Sequence, residues 1–171
     1  MREVTYVAEE EYASPLGVLI VRASSSGVRR IGFADEKDSR VWRRVDDEDV
    51  EAGLAIVLRT RTQLDEYFAG SRREFDLPLE PMGTPFQVDV WRALLRVPYG
   101  ATASYASQAG WVGRPRATRA VGGANGSNPL PIVLPCHRIV GARGQLTGYG
   151  GGVERKAWLL EHEAQNLPQQ S

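Results

Sequence analysis

The residues most capable of chemistry surround a single cysteine. Cys136 follows a proline and precedes His137 and Arg138, and three prolines stand in the seven residues before it. The thiolate is the reactive form of cysteine, and a neighbouring cation or base stabilises it. Adjacent residues of a strand point to opposite faces, so His137 could act on Cys136 only across a turn or through a bridging water. A small buried apolar cysteine is the alternative interpretation.

Charge is distributed unevenly along the chain. Residues 1–82 contain 12 basic and 17 acidic side chains, a balance of −5, whereas residues 83–171 contain 9 and 4, a balance of +5. No acid occurs between Asp89 and Glu154, but seven arginines do: Arg92, Arg96, Arg114, Arg116, Arg119, Arg138 and Arg143. A long segment of one sign predicts a polyanion site. Pairing of these arginines with acids of the first half is the alternative.

Length and composition bound the class of protein. A chain of 171 residues suits one large domain or two small ones, and 42% apolar with 25% charged residues is ordinary for a globular protein. No apolar run is long enough to cross a bilayer, and the acidic N-terminus is unlike a signal peptide. One cysteine cannot form an intrachain disulfide. We therefore expect a cytoplasmic protein with no membrane partner.

The first half predicts a small α/β unit. Two stretches typical of short strands, "SPLGVLIVRAS" and "GVRRIGFAD", predict a hairpin. A helix is expected over "LAIVLRTRTQLDEYFAG", ended by Gly70, with apolar Leu54, Ile56, Val57, Leu64, Tyr67 and Phe68. The acidic run from Asp46 to Glu51 is expected to be a solvated loop or a helix start. An edge strand and linker over "FDLPLEPMG" precede a domain boundary near Gly83.

The second half predicts mostly helices. Thr84 and Gln87 form a capping box with Pro85 at the first helical position. One apolar face then runs to the break at "PYG", and it consists of Phe86, Val90, Trp91, Leu94, Leu95 and Val97. Ser104 can cap a second helix, and Gly113 makes a turn. From Pro115 a third helix places a small apolar set on one face: Ala117, Ala120, Val121 and Ala124.

The second and third helices have the outline of a helix-turn-helix. The third has two adjacent glycines although glycine disfavours helix, and arginines stand beside them. Small side chains allow close helix packing or entry of the helix into a DNA groove. The neighbouring arginines favour the groove.

Several motifs together resemble one family. They are "GTPFQ", "VPYG", "GRP", "RAVGGANGSNP", "PIVLPCHRIVGARGQLTGYGGG" and "RKAWLLEHE", with weaker "SPLG", "LDEYFAG" and "FDLPL" in the first half. The chain resembles the O6-alkylguanine-DNA alkyltransferases, which repair DNA by direct reversal. The resemblance implies an N-terminal ribonuclease-H-like α/β domain over residues 1–82. A helical, winged-helix-like DNA-binding domain with a helix-turn-helix follows over residues 83–171.

The resemblance also implies a mechanism. Cys136 would accept the alkyl group irreversibly in a single turnover, as a methylated-DNA–protein-cysteine methyltransferase does. His137 would act through a water as the base that takes the thiol proton, and Glu163 would orient His137. Asn128 would be the hinge between the recognition helix and the active-site loop, and Tyr105 would crowd the neighbouring phosphate and hydrogen-bond the guanine.

Further residues are assigned by the same resemblance. Arg119 would fill the stack in place of the extruded base. The other residues expected at DNA are Tyr105, Arg116, Ala120, Gly123 and Ser104. The residues expected around the flipped base are Tyr149, Gly150, Ile139 and Pro131. The carbonyls of Cys136 and Ile139 would accept from the guanine amino group.

The resemblance implies double-stranded DNA bearing O6-alkylguanine as the partner, with O4-alkylthymine as a second candidate lesion. It predicts a monomer in solution and leaves cooperative assembly on DNA open. No cofactor is expected, and the zinc site of some members is absent, because one cysteine and two histidines cannot form it without carboxylates. Gly150 and Gln108 depart from the family pattern, the first opening the pocket and the second standing where an aliphatic residue is usual. His162 is interpreted as an exposed helix-end histidine.

Three other functions compete with alkyl transfer. Non-catalytic alkyltransferase-like proteins bind the same lesions but lack the acceptor cysteine, so Cys136 argues against that class. A hydrolase built on a Cys–His pair would not require the acid-free arginine segment. A helix-turn-helix regulator would leave the motif around Cys136 unexplained.

Overall fold

The computed structural model describes residues 3–46 and 49–168 of the chain. The chain divides into two compact units, Met1–Met82 and Gly83–Ser171. Each unit has its own buried apolar residues.

The first unit contains two small sheets. Its strands are β1 (Glu3–Tyr6), β2 (Ala8–Ser14), β3 (Gly17–Ala23), β4 (Val28–Phe33) and β5 (Val41–Arg44). β2, β3 and β4 form an antiparallel meander, whereas β1 pairs with β5 in parallel. The predicted hairpin is the β3–β4 pair and is confirmed. The stretch predicted as an edge strand instead makes one parallel bridge between Leu79 and Val28, flanked by backbone hydrogen bonds.

Helix α1 (Val50–Phe68) packs against this meander. Asp49 caps the helix by accepting from the Ala52 amide at 3.0 Å, so the acidic run does hold a helix start, although residues 47 and 48 lie outside the described part. The buried side of the helix is made by Gly53, Val57, Thr60, Gln63, Leu64 and Tyr67. Leu54 lies outside this face and is 42% exposed, whereas the preceding Gly53 is buried against the first unit's strands. A Cβ at Gly53 would lie 2.3 Å from the Val7 side chain, so only glycine lets the helix approach this closely.

The second unit is mostly helical. Its helices are α2 (Pro85–Ala93), α3 (Tyr105–Trp111), α4 (Thr118–Gly126) and α5 (Val153–Gln165). Short strands β6 (Ala103–Ser104) and β7 (Ile139–Val140) pair in parallel, and 3₁₀ turns cover Leu94–Arg96 and Cys136–Arg138. The capping box predicted at Thr84 and Gln87 is present, with Pro85 at the start of α2.

The core of the second unit corrects two predictions about helix faces. Val90, Ala109, Val121 and Ala124 are buried together. Ala120, expected on the same face, is exposed. Leu95 is 56% exposed because the α-helix gives way to a 3₁₀ turn after Ala93, which changes the direction of the side chains that follow. The third helix begins at Thr118 rather than at Pro115.

Candidate active site and nucleic-acid interface

Cys136 lies in a tight turn directly after Pro135. Cys136, His137 and Arg138 form one 3₁₀ turn, and all three side chains are buried. The Cys136 amide donates to the Leu134 carbonyl at 2.8 Å, and Cys136 itself is 6% exposed. The structure therefore supplies the turn, rather than a strand, that interaction between Cys136 and His137 requires.

Glu163 of α5 holds this turn from the other side. Its Oε2 lies 2.6 Å from His137 Nε2 and accepts from Arg138 Nη2 at 3.0 Å. Its Oε1 accepts from Arg138 Nε at 2.8 Å and from the Gly100 amide at 3.2 Å. Arg138 also donates to the Val97 carbonyl at 2.8 Å. A carboxylate with four donors is fixed in place and fixes the imidazole.

Protonation states follow from this geometry. Burial alone would raise the pKa of Glu163, but the hydrogen bonds and charges of His137 and Arg138 bring it well below the usual 4.5. Burial lowers the pKa of His137 below 6.5, and the opposing effect of Glu163 does not cancel this shift. His137 is therefore neutral at neutral pH, with its Nε2 proton directed at Glu163. Among the described residues the buried Nδ1 atom has no hydrogen-bond partner, so its lone pair is available to accept a proton.

Arg138 does not belong to the phosphate-binding surface predicted from the charge run. The side chain is buried and engaged by Glu163, and its guanidinium lies 5.6 Å from the Tyr99 ring centroid. Arg138 does form an ion pair, but its partner Glu163 belongs to the second half of the chain rather than to the first. The other six arginines of this acid-free segment are exposed and stay candidates for phosphate binding.

A second buried cation was missed by sequence reasoning. Lys156 of α5 is 1% exposed, and its ammonium donates to the carbonyls of Thr147, at 2.8 Å, and Ile139. Burial lowers its pKa, whereas the charge of a Cys136 thiolate acts to raise it. Lys156 precedes Leu159 by three residues and Glu163 by seven, so helical periodicity places it on their buried face. That spacing was the available signal.

The segment between α4 and Cys136 is closed by side-chain hydrogen bonds. Asn128 donates from Nδ2 to the Leu134 carbonyl at 2.8 Å, and its Oδ1 accepts from the Leu130 amide at 2.9 Å. Residues 128–140 are all buried. Ile132 has φ 77°, a left-handed conformation that β-branched residues rarely adopt. Asn128, two residues after the end of α4, thus fixes the segment that leads to Cys136.

A cavity of about 560 Å³ lies beside α4. It is lined by Tyr105, Arg116, Thr118, Arg119, Gly122, Thr147 and Gly148. Arg116 and Arg119 are exposed there, and Tyr105 donates its hydroxyl proton to the Thr147 carbonyl at 2.9 Å. Three of the residues expected at DNA therefore meet at one opening, next to the loop before Tyr149.

The other predicted site residues lie on α3, on α4 and around the buried segment that holds Cys136. Ser104 caps α3 by accepting from the Ser107 amide at 3.0 Å, while Ala120 and Gly123 are exposed on α4. Around the expected pocket Pro131, Ile139 and Tyr149 are buried, and Gly150 is exposed. The Ile139 carbonyl accepts from Lys156, and the Cys136 carbonyl accepts from the Ile139 amide. His162 is half-buried rather than exposed, with its ring stacked on Trp158 at 4.8 Å.

Within the described ranges, no group of three or more His, Cys, Asp and Glu side chains could hold a metal ion. No helix in that part of the chain is long and apolar enough to span a bilayer.

Known proteins resemble both units. A family model described as the 6-O-methylguanine DNA methyltransferase DNA-binding domain matches residues 85–165, and the ribonuclease-like domain of the same methyltransferase matches residues 7–81. The constitutive methylated-DNA–protein-cysteine methyltransferase of Bacillus subtilis is 45% identical over 151 residues, 88% of this chain and 91% of that protein. The corresponding protein of Mycobacterium leprae is 47% identical over 153 residues, 88% of each chain.

Solved structures agree with the sequence relatives. The structure of Mycobacterium tuberculosis OGT in complex with DNA superposes with a TM-score of 0.81 at 41% identity, covering 96% of both chains. Fold and site define a protein with a DNA-binding domain in which a buried cysteine is followed by a histidine held by a glutamate. The chain belongs to the 6-O-methylguanine DNA methyltransferase family. The two-domain architecture, the family and direct-reversal DNA repair expected from the sequence are confirmed, and the non-catalytic alternative is not favoured.

Proposed function

We propose that this chain removes alkyl groups from the O6 atom of guanine in double-stranded DNA and transfers each one to Cys136. The buried turn Cys136–Arg138 carries the proposal, because its histidine is oriented by Glu163 at 2.6 Å in the same unit as an arginine-bearing helix. DNA repair by a methylated-DNA–protein-cysteine methyltransferase is the activity of the family. The acceptor residue and the lesion are the parts proposed here.

The transfer is a displacement at the alkyl carbon. The neutral His137, whose Nδ1 carries the free lone pair, takes the thiol proton through a water. The Cys136 sulfur then forms a bond to the carbon as the bond to guanine O6 breaks, and the electron pair leaves with guanine. The Tyr105 hydroxyl, which donates to the Thr147 carbonyl in the DNA-free protein, exchanges that bond for one to the leaving anion. A thioether is a poor leaving group, so each chain reacts once.

Access to the thiol requires extrusion of the base. A guanine stacked in a duplex cannot reach a thiol that is 6% exposed, and flipping the base costs a few kcal/mol. Arg119 is exposed at the cavity beside α4 and fills the gap left in the stack. Arg116 and the exposed faces of Ala120 and Gly123 contact the phosphates and groove.

O4-alkylthymine is a second candidate substrate, because it presents an alkyl group at an equivalent exocyclic oxygen. We place the protein in the cytoplasm, where a reactive single thiol stays reduced. We propose that the protein is a monomer in the absence of DNA. Titrating duplex DNA with the protein would show whether several molecules assemble along it.

Intact mass after incubation with O6-benzylguanine tests the acceptor. We expect a gain of one benzyl group per chain, located on the peptide that contains Cys136, and no gain in Cys136→Ser. A second measurement counts product guanine per chain. Many guanines per chain would point instead to a Cys–His hydrolase, and a benzyl group on another residue would refute Cys136 as the acceptor.

A further inference from the structure

Two amide side chains face each other in the interior of the second unit. Gln108 of α3 is fully buried, and Asn125 of α4 is 4% exposed. Asn125 Nδ2 donates to Gln108 Oε1 at 2.7 Å, and Gln108 Nε2 donates to Asn125 Oδ1 at 2.9 Å. Gln108 stands at the position where an aliphatic residue is usual in the family. Its reciprocal hydrogen bonds with Asn125 explain how a polar side chain is accommodated at this buried position.

The pair extends to a third helix. Gln108 Nε2 also donates to the Val90 carbonyl of α2 at 3.1 Å. The next residue of α2, Trp91, donates its indole N–H to the Ala124 carbonyl at 2.7 Å. The C-terminal part of α4 is therefore fixed to α2 and α3 by directional polar contacts. A buried network in which each side-chain oxygen and nitrogen has a partner specifies one arrangement more strongly than apolar packing does.

Helix α4 needs such external support. Three of its nine residues are glycine, and no side chain caps its N-terminus. Each glycine disfavours the helix relative to alanine. The buried apolar side chains of α4 are the small Val121 and Ala124, so apolar packing alone would specify its orientation weakly.

Asn125 lies in the chain between Arg119, which is exposed at the cavity, and the segment that leads to Cys136. Its carbonyl accepts from the Asn128 amide at 3.2 Å, and the Asn128 side chain in turn holds Leu134, two residues before Cys136. Toward the other end, α4 carries Arg119 at the cavity. A shift of α4 at Asn125 would therefore displace the arginine that enters the DNA.

We propose that the Gln108–Asn125 pair is a positioning device that fixes α4 for reaction with duplex DNA. The inference rests on the proposed function, because its main readout is alkyl transfer from a duplex. Neither residue touches the substrate. Their role is to hold the helix that does.

The test compares two substrates in single-turnover experiments. Gln108→Leu leaves the Asn125 amide buried without its partner, and we expect it to slow transfer from duplex O6-alkylguanine on the order of tenfold relative to free O6-benzylguanine. Gln165→Leu, at an exposed position of α5, is the matched control and should change neither rate. All rates are measured below the melting temperature of the least stable variant.

Two double variants separate positioning from stability. The exchange Gln108→Asn with Asn125→Gln keeps both amides and should restore the duplex rate. Leucine at both positions removes both polar groups, so it should restore thermal stability without restoring the duplex rate. Equal losses on both substrates, or recovery of the duplex rate by the double leucine variant, would overturn the inference and leave a packing role.

Two further measurements keep the inference testable. If Gln108→Leu fails to fold, Asn125→Asp keeps the side-chain shape, removes one donor and should show the same selective loss. If the parent protein reacts with neither substrate, the proposed function is refuted. The affinity of each variant for duplex DNA would then test whether the Gln108–Asn125 pair positions α4. Gln108→Leu should lower that affinity, and the exchange variant should restore it. Unchanged affinity would overturn the positioning role.

Discussion

Replacing Glu163 by glutamine tests the activation of the thiol most directly, because the change removes one charge and keeps the side-chain shape. The carboxylate holds His137 at 2.6 Å. Hydrogen bonds to charged groups contribute about 1.5–3 kcal/mol. If that contribution is made in the transition state, transfer slows by about 10- to 150-fold, since 1.4 kcal/mol is about one factor of ten.

The same change also weakens the fold. Arg138 would lose its buried counter-charge, and breaking a buried ion pair costs about 3–5 kcal/mol. Typical domains are stable by about 5–15 kcal/mol, so the variant should fold but melt earlier. Rates must therefore be measured where circular dichroism shows a folded protein.

The assay is single-turnover transfer from O6-benzylguanine, followed by intact mass across a pH series. Parent, Glu163→Gln, His137→Asn and the double variant are compared, with Glu161→Gln as the matched control at an exposed position of the same helix. Residues that act as a unit are not additive, so the double variant should be little slower than the worse single. The Glu163→Gln profile should move to higher pH, because His137 accepts the thiol proton less readily once the carboxylate that stabilises its protonated form is gone. Additive losses or an unmoved profile would refute the relay.

Three further predictions concern binding, extrusion and acid stability. Cys136→Ser should keep duplex affinity within about twofold while transferring nothing, because a hydroxyl ionises far less readily than a thiol; loss of DNA binding in a gel-shift assay would make the cysteine structural. Arg119→Ala should slow repair of a duplex about tenfold or more and leave reaction with free O6-benzylguanine unchanged, with Arg73→Ala, an exposed arginine of the first unit, as control; equal losses on both substrates would exclude a role in base extrusion. The free energy of unfolding should fall as pH drops below 6.5, because the unfolded state takes a proton that the buried His137 resists, and again below 4.5, where unfolded Glu163 is protonated; urea titrations that are flat from pH 7 to 4 would contradict both shifts.

Local rules of the sequence predict local structure well in this chain. The capping box of Thr84 and Gln87 needs only side chains three residues apart, and it is present. Gly70 ends α1 with φ 81°, as a residue free to adopt the left-handed region can. The β3–β4 hairpin likewise joins neighbours along the chain. By contrast, the β1–β5 pair joins strands nearly forty residues apart, and no periodicity within either strand indicates the partner.

Burial limits what charge patterns alone can predict about the site. Arg138 was predicted to lie on a positively charged surface because the sequence around it contains no acid. Its partner Glu163 lies 25 residues later, on α5. Lys156 was overlooked although it shares a helical face with Glu163, because a lysine is rarely buried unless paired. The relay of Cys136, His137 and Glu163 came from resemblance, and the structure brings the His137–Glu163 contact within 2.6 Å. Transfer chemistry at these residues stays a prediction.

The left-handed Ile132 has a consequence for how the thiol is presented. Such a conformation costs about 1–3 kcal/mol and persists only where surrounding contacts outweigh it. Here the side chain is 1% exposed, and the hydrogen bonds of Asn128 close the segment around it. The energy needed to shape this segment is therefore supplied once, during folding. The thiol is preorganised before any lesion arrives, so DNA binding energy is left for opening the duplex.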